Sequence, residues 1–266
     1  MDERNDITVI IPVHELNSAT EQLFVNAIKS VAEQFVLPNE LLIVTSKNTD
    51  TEKFLNSYDY GTIKHMVRIV SNEGQTDFAS QINFGVENVK TKWFSILEFD
   101  DEYSKIWFKN VFKYISAYPN VDVFMPIIVD TNSGGAFIGL MNEAVWAQSF
   151  SDELGILTND ALLAYQNFNI DGIVMKTEQY KEFGGFKPSI KLTFIYEFLL
   201  RMTHKDSKVF VIPKFGYKHL NQRLGSLFNN YVNEMNPVEA KWWLSQAKKE
   251  YYFEQDRTLN YEPETN

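Results

Sequence analysis

The sequence predicts an α/β fold, with a mostly parallel central sheet, helices on both of its faces and a helical extension at the C-terminal end. Three observations carry that prediction. Short apolar runs alternate with helical patterns through the first hundred or so residues, which is the order of a parallel sheet with crossover helices. Those runs are continuous rather than alternating, as expected of strands buried on both faces. Polar groups gather where the runs end, and in such sheets ligands bind outside the carboxyl ends of the strands. With 266 residues, 44% apolar and 23% charged, the chain is able to bury a full core.

Taken in order, Ile7 to Val13 reads as the first strand. Ser18-Ala19-Thr20-Glu21 has the form of a capping box, and Phe24, Ala27, Ile28 and Val31 follow at helical spacing. Glu40 to Thr45 gives a second strand, and Thr49-Asp50-Thr51-Glu52 a second capping box opening a helix to about Tyr58. Met66 to Val70 is a third strand, Asp77 to Val89 a helix, and Trp93 to Phe99 a fourth strand. Lys105 to Tyr118 is helical and Val121 to Val129 extended. From Asp130 to Asn169 come Ser133-Gly134-Gly135 and two helical patterns, Asn142 to Ser149 and Asn159 to Phe168. A stretch of that length builds either an acceptor pocket or lid, or plain helical packing. Gly172 to Lys176 is a short strand, Thr177 to Phe183 a helix closed by Gly184-Gly185, Thr193 to Thr203 a helix, and Val209 to Pro213 a last strand. A final helix, Pro237 to about Phe253, carries Trp242, Trp243, Tyr251, Tyr252 and Phe253, which pack on the domain or meet a partner such as a second copy.

Composition narrows the function. The 25 basic and 35 acidic residues give a net charge of −10, and no block of Lys and Arg suited to a nucleic-acid backbone is present. The absence of cysteine excludes disulfides and thiolate metal sites. No apolar run reaches the roughly 18 residues of a membrane span, and the polar N-terminus is not a secretion signal. A soluble, cytoplasmic protein is expected.

The most informative stretch is Glu98-Phe99-Asp100-Asp101-Glu102, four acids in five residues closing an apolar strand. Carboxylates this close repel one another unless a cation or solvent absorbs the charge. In an extended chain Glu98 and Asp100 would face one way, a pair of hard oxygen ligands suited to Mg²⁺ or Mn²⁺ carrying a diphosphate. A solvated acidic turn is the alternative. Three other strand exits, His14-Glu15, Thr45-Ser46 and Asn72-Glu73-Gly74, converge on the same edge and favour a shared crevice.

These features resemble the family-two glycosyltransferases of GT-A fold, a Rossmann-like architecture. Val9-Ile10-Ile11-Pro12-Val13-His14 is similar to that family's opening strand, and Asn72-Glu73-Gly74 with Asn83-Phe84-Gly85 to its N-x-G…N-x-G entry. Ile96-Leu97-Glu98-Phe99-Asp100-Asp101 falls at its metal-binding motif, and Phe183-Gly184-Gly185-Phe186 looks like its G-G-F. Leu199-Leu200-Arg201 and Tyr217-Lys218-His219 follow in register. The resemblance runs over about residues 7 to 220 and implies a GT-A domain at 1–225, with a donor half to about residue 103 and an acceptor half from 104, then an extension at 226–266. It also implies a nucleoside-diphosphate-sugar donor, a UDP-sugar foremost, and a hydroxyl acceptor on a glycan, a protein or another molecule. Inverting transfer would be assisted by Mn²⁺ or Mg²⁺. On that model Asp100 and His219 bind the metal, and Glu98 meets the donor's ribose or sugar. Pro12, His14, Glu15, Thr45, Asn72, Gly74, Asn83 and Arg223 complete the donor side.

Two departures stand out. Thr45-Ser46-Lys47-Asn48 replaces the D-D-G-S in which the family's first Asp reads uracil. The acceptor helix, where the family places Glu-Asp with the Asp as catalytic base, has Phe194-Ile195. Glu197 is the nearest substitute, with Asp101, Asp160 and Asp171 as other candidates. A catalytically inactive GT-A-fold nucleotide-binding or scaffold protein is therefore the alternative reading. A nucleotidyltransferase is disfavoured, because residues 12–20 contain neither Gly nor Lys or Arg.

Overall fold

The computed structural model describes residues 6–14, 16–147, 154–221, 223, 225–226, 230, 233 and 235–250. The first part is strand and helix in alternation: β1 (Ile7–Val13), α1 (Glu21–Ala32), β2 (Glu40–Ser46), α2 (Thr49–Ser57), a 3₁₀ segment (Gly61–Met66), β3 (Val67–Asn72), α3 (Phe78–Asn88) and β4 (Trp93–Ile96). There follow β5 (Glu102–Tyr103), α4 (Trp107–Ala117), β6 (Val123–Thr131), β7 (Phe137–Met141), α5 (Ala144–Ala147), β8 (Ile156–Leu157) and α6 (Asn159–Ala164). The chain continues through β9 (Val174–Lys176), α7 (Thr177–Glu182), α8 (Phe194–His204), β10 (Val209–Leu220) and α9 (Pro237–Glu250).

Among the described residues all ten strands form one sheet, ordered β3-β2-β1-β4-β9-β6-β10-β5, with β7 paired to β6 and β8 to β10. The longest ladders, β1–β2, β2–β3 and β6–β10, are parallel, as is β1–β4. Only the short β9 reverses direction between β4 and β6. Because β9 is antiparallel to both neighbours, β1, β2, β3, β4, β6 and β10 all run the same way. Their carboxyl ends therefore share one edge.

Strand β1 is buried throughout, and its pleat divides the core. Ile10 joins Leu42, Val44, Ile82 and Val86 on one face with Leu199 and Leu200 of α8, whereas Val9 and Ile11 face Phe24, Ile28, Phe108 and Val111 on the other. Each such side chain, fully buried, contributes about 1.5–3 kcal/mol. Helix α9 packs on α8: Trp243 is buried beside Ile190, and its carbonyl accepts from Thr193 Oγ1 at 3.2 Å. Tyr251, Tyr252 and Phe253 lie outside the described residues.

Several local expectations are corrected. Neither capping box forms as read. Thr20 starts α1 without a capping bond, its hydroxyl instead accepting from Asn17 N at 2.9 Å. Helix α2 is capped from one residue earlier, by Asn48, whose side-chain oxygen accepts from Asp50 N and Thr51 N. Strand β4 stops at Ile96, and Asp101 N donates to Glu98 O at 3.1 Å to close a turn. The acids therefore do not alternate along an extended strand; the turn bunches them. Strand β10 does not end at Pro213 but runs to Leu220, with register irregularities between Val211 and Tyr217 that absorb the proline.

Candidate active site

The shared carboxyl edge opens on a cavity of about 870 Å³. One wall comes from strand ends: Pro12 and His14 at the end of β1, Glu98 to Asp100 after β4, and His219 to Asn221 with Arg223 at the end of β10. The rest of the lining is mainly apolar, with Phe78, Phe168, the first turn of α8 (Phe194, Ile195, Tyr196) and Leu244 of α9, interleaved with Gln166, Asn167, Lys191 and Thr193. Ser46 Oγ donates to the His14 carbonyl at 2.8 Å, and the His14 ring meets Phe99 edge-on at 5.3 Å. The Arg223 guanidinium lies 5.3 Å from the Phe99 ring centre and is ion-paired with Asp100.

Beneath the polar wall the acids converge. Asp101 is 2% exposed and Asp171, in the loop entering β9, is fully buried. Asp171 reaches this spot because the next residue is Gly172, at φ +72°, where a Cβ would come within 2.7 Å of the Tyr217 ring. Burial, and then the charges of Asp101 and Asp100, push the Glu98 carboxyl up to about 8. Burial and the neighbouring Asp100 raise Asp101, while burial, then Glu98 and Asp101, raise Asp171. Burial and the same acids hold Tyr217 as a neutral phenol, and its oxygen accepts from Glu98 N at 3.0 Å.

Two of these oxygens have no hydrogen-bond partner: Asp101 Oδ2, whose sister atom accepts from Leu220 N at 2.7 Å, and Asp171 Oδ1, whose sister accepts from Asn169 Nδ2 at 2.5 Å. Ligand atoms of Asp101, Asp171 and His219 lie within 4.8 Å of one another. A buried carboxylate oxygen left without a partner is costly, more so beside other carboxylates. Two carboxylates and an imidazole with such orphaned oxygens fit a divalent cation of the Mg²⁺ or Mn²⁺ type.

Residues 8–176 match the family model described as glycosyl transferase family 2. The chain belongs to glycosyl transferase family 2. Its fold is the GT-A arrangement, a mostly parallel sheet between helices. Solved structures similar to this family-2 chain include S. aureus TarS 1–349 in complex with UDP-GlcNAc, at 17% identity and a TM-score of 0.59, covering 84% of this chain and 60% of that one. The same fragment in complex with UDP gives 17% and 0.57, covering 92% and 70%. Full S. aureus TarS gives 16% and 0.55, covering 92% and 43%. This chain thus spans well under the full length of TarS, and likeness at such identity speaks for the fold. No match was found among curated proteins.

Within this family-2 site the structure redistributes the expected roles. Pro12, His14, Glu98, Asp100, His219 and Arg223 line the cavity together. Asp100, expected as a metal ligand, is instead engaged by Arg223, and the cation-type cluster forms around Asp101, Asp171 and His219. Thr45 is fully buried, its hydroxyl donating to Ser46 O at 2.9 Å. Asn72 folds its own loop, accepting from Gly74 N at 2.9 Å and donating to Gln75 O at 3.0 Å. Asn83 is a strut: it donates to Phe186 O at 2.9 Å and accepts from the Tyr180 hydroxyl at 2.6 Å and Phe186 N at 3.0 Å. Thr45, Asn72, Gly74 and Asn83 therefore shape the edge without lining the cavity. Glu15 lies outside the described residues.

Glu197, expected as the catalytic base, does not line the cavity. It is fully buried, both oxygens are held by Arg201 at 2.8 and 3.0 Å, and Lys187 Nζ stands 3.5 Å away. Arg201 also donates to the carbonyls of Phe183 and Gly185, so the pair anchors α8 to the Gly184-Gly185 turn. What sequence reasoning missed is Asp130, at the end of β6, which binds His219 and Asn221. Its one signal was its place as the first polar residue after an apolar run.

Proposed function

We propose that the chain is a nucleotide-sugar glycosyltransferase that moves a sugar, with inversion, from a nucleoside diphosphate to a hydroxyl acceptor. The observation that carries this reading is the cluster of buried Asp101 and Asp171, with orphaned oxygens, and half-buried His219 at a cavity of about 870 Å³. A cavity of that size suits a nucleotide sugar. The family match supports the reading, and TarS, solved with UDP and with UDP-GlcNAc, makes a UDP-sugar the first donor to test.

Asp101, Asp171 and His219 would hold Mn²⁺ or Mg²⁺, which when bound neutralises the charge developing on the diphosphate leaving group. Arg223, exchanging Asp100 for phosphate oxygens, would bind the diphosphate through its planar fork. His14 and Phe99 offer an edge for the base. The acceptor is left the apolar wall of Phe168, Phe194, Ile195 and Tyr196, which excludes water around the reacting hydroxyl. No acid of α8 faces it, so the proton falls to the ionised form of Glu98, the carboxyl that lines the cavity and is not paired with Arg223. A cytoplasmic location, the division at about residue 225 and self-association through the C-terminal aromatic helix belong to this proposal as well.

A second reading, nucleotide binding without transfer, is favoured by Phe194 and Ile195 on the acceptor wall. A panel of nucleotide sugars with Mn²⁺ separates the two. Donor hydrolysis or transfer that is lost in Asp101→Asn supports the enzyme. Binding without turnover for every donor and acceptor supports the second reading, and no binding at all removes both.

A further inference from the structure

We propose that Asp130 is the positioning residue that fixes the tautomer of His219, keeping the proton on Nδ1 and presenting a bare Nε2 to the cation cluster. The inference rests on the cation reading of the site. Asp130 and His219 are register partners on the parallel strands β6 and β10. Side chains at paired positions stand on the same face of the sheet. His219 Nδ1 lies 3.0 Å from Asp130 Oδ1, and a carboxylate there can only accept, so Nδ1 carries the hydrogen. In the neutral ring the remaining nitrogen then keeps its lone pair, the form a cation requires.

The same carboxylate steadies the surrounding backbone. Asp130 Oδ2 accepts from Asn221 Nδ2 at 2.6 Å. Thr131, its neighbour, donates from Oγ1 to His219 O at 3.0 Å and accepts at its carbonyl from Asn221 N at 2.8 Å. Residues 219–221 are thus tied to the end of β6 on both sides of the imidazole, and Leu220 N between them holds Asp101 Oδ1. Asp130 itself is 7% exposed. One buried acid therefore orients a nitrogen ligand and, through the strand end, an oxygen ligand.

The test uses the full chain, Mn²⁺ alone as the probe, and nitrogen NMR of the imidazoles in metal-free protein. With 4 histidines in the chain, His219→Gln identifies the signal. Native His219 should show a protonated Nδ1 and a bare Nε2. Asp130→Ala should move the proton to Nε2 and weaken Mn²⁺ binding about 10- to 100-fold. Asp130→Asn, whose side-chain oxygen still accepts from Nδ1, should keep the native tautomer and lose less affinity, which guards against a folding failure in the alanine variant. A proton on Nε2 in the native protein, or Asp130→Ala binding Mn²⁺ as the native protein does, overturns the proposal. A native protein with the expected tautomer and Mn²⁺ affinity that transfers no sugar supports this inference while removing the enzymatic reading.

Discussion

Glu98, Asp101 and Asp171 hold carboxyl groups whose affinity for protons is raised by burial and by one another. The folded protein thus keeps protons that the unfolded chain, with carboxyl pKa values near about 4, has already released. The stability this brings is complete below the unfolded values and is lost as pH rises through the folded ones, to about 8 for Glu98. In metal-free protein the melting temperature should accordingly fall between about pH 5 and about pH 8. The fall should be smaller in Glu98→Gln, and Mn²⁺ should reverse it at the upper end. A loss of about 1 kcal/mol corresponds to roughly 2–4 °C for a chain of this size. A melting temperature that climbs steadily over that range in metal-free protein would contradict the buried cluster. The acidic row from Glu98 to Glu102 was legible because adjacent carboxylates demand an explanation wherever they occur. Asp171 and Asp130 were harder to weigh, since each stands alone in sequence and gains meaning only when β9 and β6 bring it beside the row. Glu197 misled because its partners, Arg201 one turn on and Lys187 before the helix, become a buried network only after folding.

Elements were read well where chemistry is local and repetitive. The strands β1 and β2 follow from unbroken apolar runs, and α3 begins at its Asp77 cap, whose side chain accepts from Ser80 N. The caps of α1 and α2 were misplaced because several polar residues in a row offer competing oxygens, and the backbone path chooses among them. Asn48→Ala should therefore destabilise the protein by about 1 kcal/mol in urea unfolding, whereas Ser18→Ala, at an exposed position before α1, should change it by less than about half that. Equal effects would return the capping role to the residues first expected. Strand β10 was cut short at Pro213 because a proline removes a ladder donor, and only the irregular register beyond Val211 lets pairing resume. β5 and β8, at two residues each, carry no readable period.

At the scale of the molecule, alternation of strand and helix was enough to give the parallel sheet and its ligand-bearing edge. The reversal at β9 was not readable, because three residues between a glycine-containing loop and a helix fix no direction. Long-range polar fastening was equally hidden. The Glu197–Arg201 pair illustrates it, since removing one partner leaves a charge in the core and releases the carbonyls of Phe183 and Gly185. Glu197→Ala should cost about 3–5 kcal/mol in chemical unfolding. Folded Glu197→Gln should keep its affinity for Mn²⁺, an outcome that separates an anchor from a catalytic base.

The Gly184-Gly185-Phe186 bend is bolted from two sides, by Asn83 on a helix of the N-terminal half and by Arg201 on one of the C-terminal half. A seam fastened in this way cannot hinge without breaking several buried contacts at once, so α8, whose first turn lines the cavity, is held in place. On the proposed reading, the ion pair between Arg223 and Asp100 at the cavity wall must let go before a phosphate can take its place.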